Sequence, residues 1–214
     1  AISKGLMFNS VWSVGNGKQN GVEDVLQYMD EHFGEDNFGG GSKIKLLYIE
    51  NIKDPDRLLF HASSLIKKGC HIAAIKGGTS ESGSRAASSH TGAIASSDSA
   101  VEALFRKAGI TRCYSREELT TVGSIFTLPS LKGKNIAIIT HAGGPAVMLT
   151  DALCKGGLQV PKFEGEKAME LKSKLFPGAS VGNPIDILAT GNPQQLDICI
   201  DYCENVFTDI DAII

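Results

Sequence analysis

Short apolar runs alternate with longer amphipathic stretches along nearly the whole chain, and that alternation leaves few architectures open. Residues 44–49, 72–75 and 136–140 are mainly apolar runs of strand length, and 110–114 reads as a short strand. Between them, residues 21–33, 55–68, 98–108, 116–128, 145–155, 166–175 and 193–206 repeat apolar positions at helical spacing, as in Val22, Val25, Leu26 and Met29. Continuous apolar strands separated by helices predict parallel sheets covered on their faces by helices, an α/β fold. Further strands are expected at 7–14 and 160–163 and from 211 to the chain end, while 183–188 reads as irregular or strand. Pro55 suits a first helical position, where a missing N–H costs nothing. Gly109 and Pro129 read as helix stops.

The chain has 214 residues, enough for one large or two small domains. A polar, turn-rich stretch, Pro129-Ser130-Leu131-Lys132-Gly133-Lys134, interrupts the pattern. Two domains are therefore expected, residues 1–129 and 135–214, with 130–134 as linker. The chain begins without Met and stops inside an apolar strand pattern, so both ends read as cut and a fragment of a longer protein is expected. Hydrophobic residues are 42% and charged residues 21%, which fits a packed globular class. A net charge of −3 gives no reason to expect nucleic acid or an anionic membrane surface as partner. No apolar run has the length of a membrane span. The five cysteines are odd in number and contain no CxxC, which reads as reduced thiols of a cytoplasmic protein. Cys199 and Cys203 are spaced to share one helix face and are expected to pack as small hydrophobes rather than to bind a metal.

Four places carry chemistry. Residues 77–92 form the most Gly/Ser-rich stretch, read as a long loop that follows a strand. His90 within it is a candidate nucleophile, because neutral imidazole reacts near pH 7; the alternative is an ordinary surface residue. Glu50 ends the strand 44–49, and carboxyl ends of parallel strands are where open α/β sheets place ligands. It can orient an imidazole, or it is a solvated acid at a helix start. In His141-Ala142-Gly143-Gly144-Pro145, a turn joins strand to helix. The exposed N–H groups of Gly143 and Gly144, with Pro145 starting the helix, suit an anion such as phosphate, or form a tight connection with no ligand. The turn matches neither a dinucleotide fingerprint nor a Walker A loop. His141 reads as a turn residue rather than a catalyst, and Asn183-Pro184-Ile185-Asp186 as a structural Asx turn. No metal site is read.

The block Glu81…Gly83…Arg85-Ala86-Ala87-Ser88-Ser89-His90-Thr91-Gly92-Ala93…Ser97-Asp98 resembles the phosphohistidine segment of the nucleoside-diphosphate-forming acyl-CoA synthetases, a family that includes ADP-forming acetyl-CoA synthetases and succinyl-CoA synthetase. The resemblance extends to 14–16, 48–54, 108–112, 138–145 and 182–190, nearly the whole chain. It implies two flavodoxin-like domains, both truncated, the first lacking its opening strand and helix and so leaving an exposed sheet edge. It implies acyl-CoA, ADP or GDP and phosphate interconverting with free acid, coenzyme A and ATP or GTP. His90 would carry the phosphoryl group, Glu50 would orient it, and Gly143 and Gly144 would open one of two helix starts that hold the phosphate. Mg²⁺ would accompany the nucleotide. The expected partners are a CoA-binding domain and an ATP-grasp domain or subunit, in an oligomeric parent. His141, Thr79 and Ala146 depart from the family pattern, which usually has Asn, Arg and Gly there. The alternative is a non-catalytic ligand-sensing module fused to an acetyltransferase or another partner.

Overall fold

The computed structural model describes residues 5–15, 19–35, 42–91 (backbone alone over 87–91) and 97–214. The chain divides into two compact units, Ala1–Pro129 and Ser130–Ile214.

In the first unit, three parallel strands lie in the order β1-β2-β3: β1 Ile44–Ile49, β2 His71–Lys76 and β3 Thr111–Cys113. The β1–β2 register pairs Ile44 with His71 and Ile49 with Lys76, and Ala74 of β2 pairs with Arg112 of β3. Helices α1 (Val22–Glu31), α2 (Pro55–Lys67) and α4 (Asp98–Ala108) cover one face, where Leu26, Leu58, Leu65, Ile72, Val101 and Phe105 form the core. Each is delimited by its own sequence. Asp54 accepts from the Arg57 N–H at 3.0 Å, with Pro55 opening α2. Ser97 accepts from the Ala100 N–H at 3.2 Å, and Gly109 closes α4 at φ +81°. Helix α5 (Arg116–Ile125) is capped by Ser115. A buried clamp joins α1 to α2: the Asp30 carboxylate pairs with His61 Nδ1 at 2.9 Å, the Ser64 hydroxyl at 2.7 Å and Lys68 Nζ at 2.8 Å.

Two expectations for this unit fail. Residues 7–14 join no ladder. Their apolar positions, Met7, Phe8, Val11, Trp12 and Val14, do not alternate with period two, so no single face can be buried, and Met7 and Val11 stay exposed. The stretch read as a loop winds into helix α3, Glu81–Thr91. Ser80 accepts from the Gly83 N–H at 3.1 Å, and Glu81 and Arg85 pair at 2.9 Å one turn apart. Ala86 and Ala87 add propensity, and together these outweigh the glycine and serines.

The second unit is built on one parallel strand line, β4 (Ile136–Ala137) and β5 (Ile139–Thr140). β7 (Ala212–Ile213) pairs with β4, and β6 (Ile185–Asp186) pairs with β5. The expected strand 136–140 is thus divided at Ile138, whose N–H bonds to the Asn183 side chain instead of a ladder partner. Helices α6 (Gly143–Lys155), α7 (Glu166–Ser173) and α8 (Pro193–Asp201) follow, the last continuing as a π-helical turn, Tyr202–Val206. The core holds Leu171, Ile185, Ile187, Cys199 and Cys203. The strand expected at 160–163 is absent: Pro161 has no N–H to give a ladder, and the Phe163 N–H bonds to the Gly182 carbonyl.

Candidate functional site

The first site lies at the carboxyl ends of β1 and β2. Tyr48 and Glu50 are two residues apart and so share a face of β1. The Tyr48 hydroxyl donates to Glu50 Oε1 at 3.1 Å. Partial burial of the ring, this bond and the carboxylate charge push the Tyr48 phenol above its ordinary value. Directly opposite stands Gly77, whose N–H donates to the Ile49 carbonyl at 2.8 Å. A Cβ on Gly77 would lie 2.9 Å from Tyr48 Oη and 3.4 Å from Glu50 Cγ. Glycine therefore leaves room for the Tyr48–Glu50 pair where the chain leaves β2 towards α3. Glu50 thus sits at the root of the segment bearing His90. The backbone of His90 belongs to the last turn of α3, and its side chain lies outside the described residues.

The opposite face of the same strand ends carries a polar cluster that sequence reasoning missed. Lys76 is 4% exposed and donates to the Gly77 carbonyl. Burial holds its ammonium below the ordinary lysine value, with Asp98, Arg112 and Glu50 near enough to act on it. Arg112, with a side chain 7% exposed, pairs with the Asp98 carboxylate and with Glu102 at 2.9 Å. The available signals were a lysine ending an apolar strand and acids spaced one turn apart in α4.

The second site is the start of α6. Thr140 ties the turn: its hydroxyl accepts from the Ala142 N–H at 3.0 Å. No side chain caps the helix, so Gly143 and Gly144 present N–H groups at its positive end, while Pro145 has none to present. A Cβ on Gly143 would lie 3.1 Å from Asp186 Oδ2; one on Gly144 would meet nothing within 4 Å. A carboxylate thus stands beside Gly143, favourably placed for the helix dipole, and the Gly144 side is open. His141 is exposed and Ala146 is buried within the first turn.

Asn183 is structural, but not as an Asx turn. Its Oδ1 accepts from the Ile138 N–H at 2.9 Å, and its Nδ2 donates to the carbonyls of Ile136 and Pro161, both at 2.9 Å. The Asx-type bond belongs to Asp186, which accepts from the Leu188 N–H at 2.9 Å. Cys199 and Cys203 are buried, and burial pushes their thiols up to about 11 and about 12. Among the described residues, no three His, Cys, Asp or Glu side chains gather as a metal site, and no helix is long and apolar enough to cross a membrane.

Residues 1–126 match the family model described as succinyl-CoA ligase like flavodoxin domain. The chain belongs to this family. It is 39% identical over 194 residues to the acetate–CoA ligase (ADP-forming) II subunit alpha of Pyrococcus furiosus, covering 91% of this chain and 41% of that protein. It is likewise 39% identical to the acetate–CoA ligase (ADP-forming) of Methanocaldococcus jannaschii, covering 87% of this chain and 25% of that one. The chain therefore spans less than half the length of these relatives. Among solved structures, the dinucleotide-forming acetyl-coenzyme A synthetase 1 of Candidatus Korarchaeum cryptofilum, in complex with phosphate and ADP, superposes with a TM-score of 0.82. That match has 27% identity and covers 99% of this chain and 44% of that one. The parallel α/β fold expected for this chain is the fold of that neighbour.

Proposed function

We propose that this chain is the phosphoryl-carrying part of an NDP-forming acyl-CoA synthetase of the cytoplasm. The observation that carries the reading is the Glu50 carboxylate, held by Tyr48 at the carboxyl end of β1, against the residue from which the chain departs towards His90. Family membership and the ADP-forming ligases among its relatives support it. A parallel-sheet carboxyl end is the expected ligand position of such a fold.

In the direction of nucleotide synthesis, a phosphate oxygen attacks the acyl-CoA carbonyl and coenzyme A leaves as its thiolate, giving an acyl phosphate. A ring nitrogen of His90 then attacks phosphorus, the P–O bond to the acyl group breaks, and the free carboxylate departs. The terminal oxygen of ADP or GDP takes the phosphoryl group from nitrogen, and His90 returns to neutral imidazole. Splitting one transfer into two attacks is covalent catalysis. Glu50 accepts from the far ring nitrogen, which fixes the tautomer and stabilises the cationic ring that forms on phosphorylation. The start of α6, through Gly143 and Gly144, binds phosphate by N–H donation and dipole, without a metal from this chain. Mg²⁺ accompanies the nucleotide, whose phosphates are its natural ligands. A CoA-binding domain and an ATP-grasp domain or subunit complete the machinery in an oligomeric parent.

The test is nucleotide formation. The full-length protein, with its nucleotide-binding domain or subunit, is supplied with acetyl-CoA, ADP, phosphate and Mg²⁺. ATP should form with wild type and fall at least a thousandfold with His90→Ala, and residues 1–214 alone should form none. Equal ATP formation by His90→Ala would overturn His90 as the phosphoryl carrier, and no ATP formation by wild type would overturn the reading in favour of a ligand-sensing module.

A further inference from the structure

The two ends of the segment that carries His90 are each held by a buried cation, on adjacent strands and on one face of the sheet. Lys76 ends β2, and its ammonium donates to the carbonyl of Gly77, the first residue of the segment. Arg112 lies in β3 opposite Ala74, one pleat below Lys76 on the same face. Its guanidinium reaches the Asp98 carboxylate and, at 3.5 Å, the Asp98 carbonyl. Asp98 is the first residue of α4, where the segment ends. The second half of the fork goes to Glu102, one turn further on, at 2.9 Å. Arg112 thus grips the first two turns of α4 by one carboxylate in each, while the Tyr114 ring covers its guanidinium at 5.1 Å.

Burying two cations in one cluster is costly, and a core of this size needs neither for packing. Replacing a buried ion pair by apolar residues is often neutral or stabilising, so stability alone does not account for them. What the arrangement provides is fixed end points. The 77–97 segment leaves the sheet at a carbonyl pinned by Lys76 and returns at a carboxylate pinned by Arg112. We propose that Lys76 and Arg112 are positioning residues of the phosphoryl carrier: they hold the two ends of the His90 segment still, so that His90 presents to each of its two reaction partners in a reproducible geometry. The inference rests on the proposed role of His90 and deepens it.

Arg is required rather than Lys, because one planar fork serves both Asp98 and Glu102. A misplacement of about 1 Å at a reacting atom costs up to about a hundredfold in rate. Loss of an end point should therefore lower the rate of transfer to His90 and leave substrate affinity alone.

The experiment compares two routes to phosphohistidine in the full-length protein with its nucleotide-binding domain or subunit. One route is Mg-ATP, which requires His90 to meet a bound nucleotide. The other is phosphoramidate, a free small-molecule donor that needs no docking. Arg112→Lys, Arg112→Met, Asp98→Asn and Lys76→Met should each slow ATP-driven phosphorylation of His90 by about ten- to a hundredfold, with the apparent KM for ATP within about twofold of wild type. Phosphoramidate labelling should stay at the wild-type rate in the same proteins, which shows that His90 is still reactive, and an unchanged thermal midpoint excludes loss of folding as the cause. Arg106→Ala removes only the exposed partner of Glu102 and should change neither route. Asp98→Asn and Arg112→Met should be non-additive, since both remove the Arg112–Asp98 contact. ATP-driven rates at the wild-type value in Asp98→Asn and Arg112→Lys would overturn the proposal, and so would parallel losses in both routes. If wild type itself takes no phosphoryl group from ATP on His90, the proposed function fails and this inference with it.

Discussion

Asn183→Ala should cost the second unit more stability than any surface substitution, by an amount that can be worked out contact by contact. The side chain makes three hydrogen bonds to backbone atoms of two separate segments, all at 2.9 Å. Alanine leaves the Ile138 N–H without an acceptor in the middle of the strand line, and Ile138 is fully buried. An orphaned buried donor costs about 1–3 kcal/mol. The carbonyls of Ile136 and Pro161 lose a donor as well, a smaller penalty because each retains a second lone pair. The backbone of Asn183 stands at φ +57°, where alanine adds about 1–2 kcal/mol that asparagine largely avoids. The sum is about 2–5 kcal/mol, or a fall of at least about 10 °C in the midpoint of a unit this size. Asn183→Gly removes the conformational penalty alone and should recover about 1 kcal/mol of it. Differential scanning calorimetry of the whole chain gives the midpoint, and hydrogen exchange of the Ile138 amide gives the local opening. A midpoint within about 2 °C of wild type with unchanged Ile138 exchange would show that the three contacts do not hold the strand line together, and the argument would be wrong.

Three further outcomes follow from the first unit. Glu50→Gln should lower the Tyr48 phenol towards its ordinary range, because the carboxylate charge is one of the causes that raise it, leaving a residue of shift from burial; difference titration of phenolate absorbance against Tyr48→Phe reads this, and a Tyr48 value unmoved by Glu50→Gln contradicts the pairing. Burial raises the Asp30 carboxyl, but bonds from Lys68, His61 and Ser64 outweigh it and leave it below the ordinary carboxylate value. The stability it contributes is therefore present above its unfolded value of about 3.9 and lost as pH falls through the lower folded value, so that denaturation curves of wild type and Asp30→Asn should converge at acid pH and diverge above pH ~4. Gly109→Ala should destabilise the first unit by about 1–2 kcal/mol, since φ is +81° and a Cβ would stand 3.2 Å from Ile66 Cδ1; a chemical-denaturation midpoint equal to wild type would refute the strain.

How much of this was legible in the sequence depended on the range of the forces involved. Helices α1, α2, α4 and α8 carry their own punctuation, an N-cap or a proline at one end, and those signals are local. Strands β1 and β2 are mainly apolar, with runs such as Ile72 to Ile75, and their length marks them as strands. The segment around His90 was misread because glycine and serine suggest a loop, while Ser80, Glu81, Arg85 and two alanines supply a cap, an ion pair and propensity that act together only once a helix has begun. Residues 7–14 were misread because β-prone composition was taken without asking for a buried face. The place of Glu50 at the end of β1 was legible from the apolar run before it. Lys76, Arg112 and Asp98 were not, since they meet only through the β2–β3 register and the approach of α4. The clamp by Asn183 was equally hidden, because its three partners lie 22 to 47 residues away.

The measurement that tests the account most directly is the site of phosphoryl transfer. The full-length protein, with its nucleotide-binding domain or subunit, is incubated with γ-labelled ATP and Mg²⁺, and the label is followed through acid and base and located by peptide mapping. The account predicts one acid-labile, base-stable phosphoryl group, on the peptide holding His90, absent in His90→Ala and reduced in Glu50→Gln. Label that persists in His90→Ala, or that maps to any other residue of this chain, would contradict it.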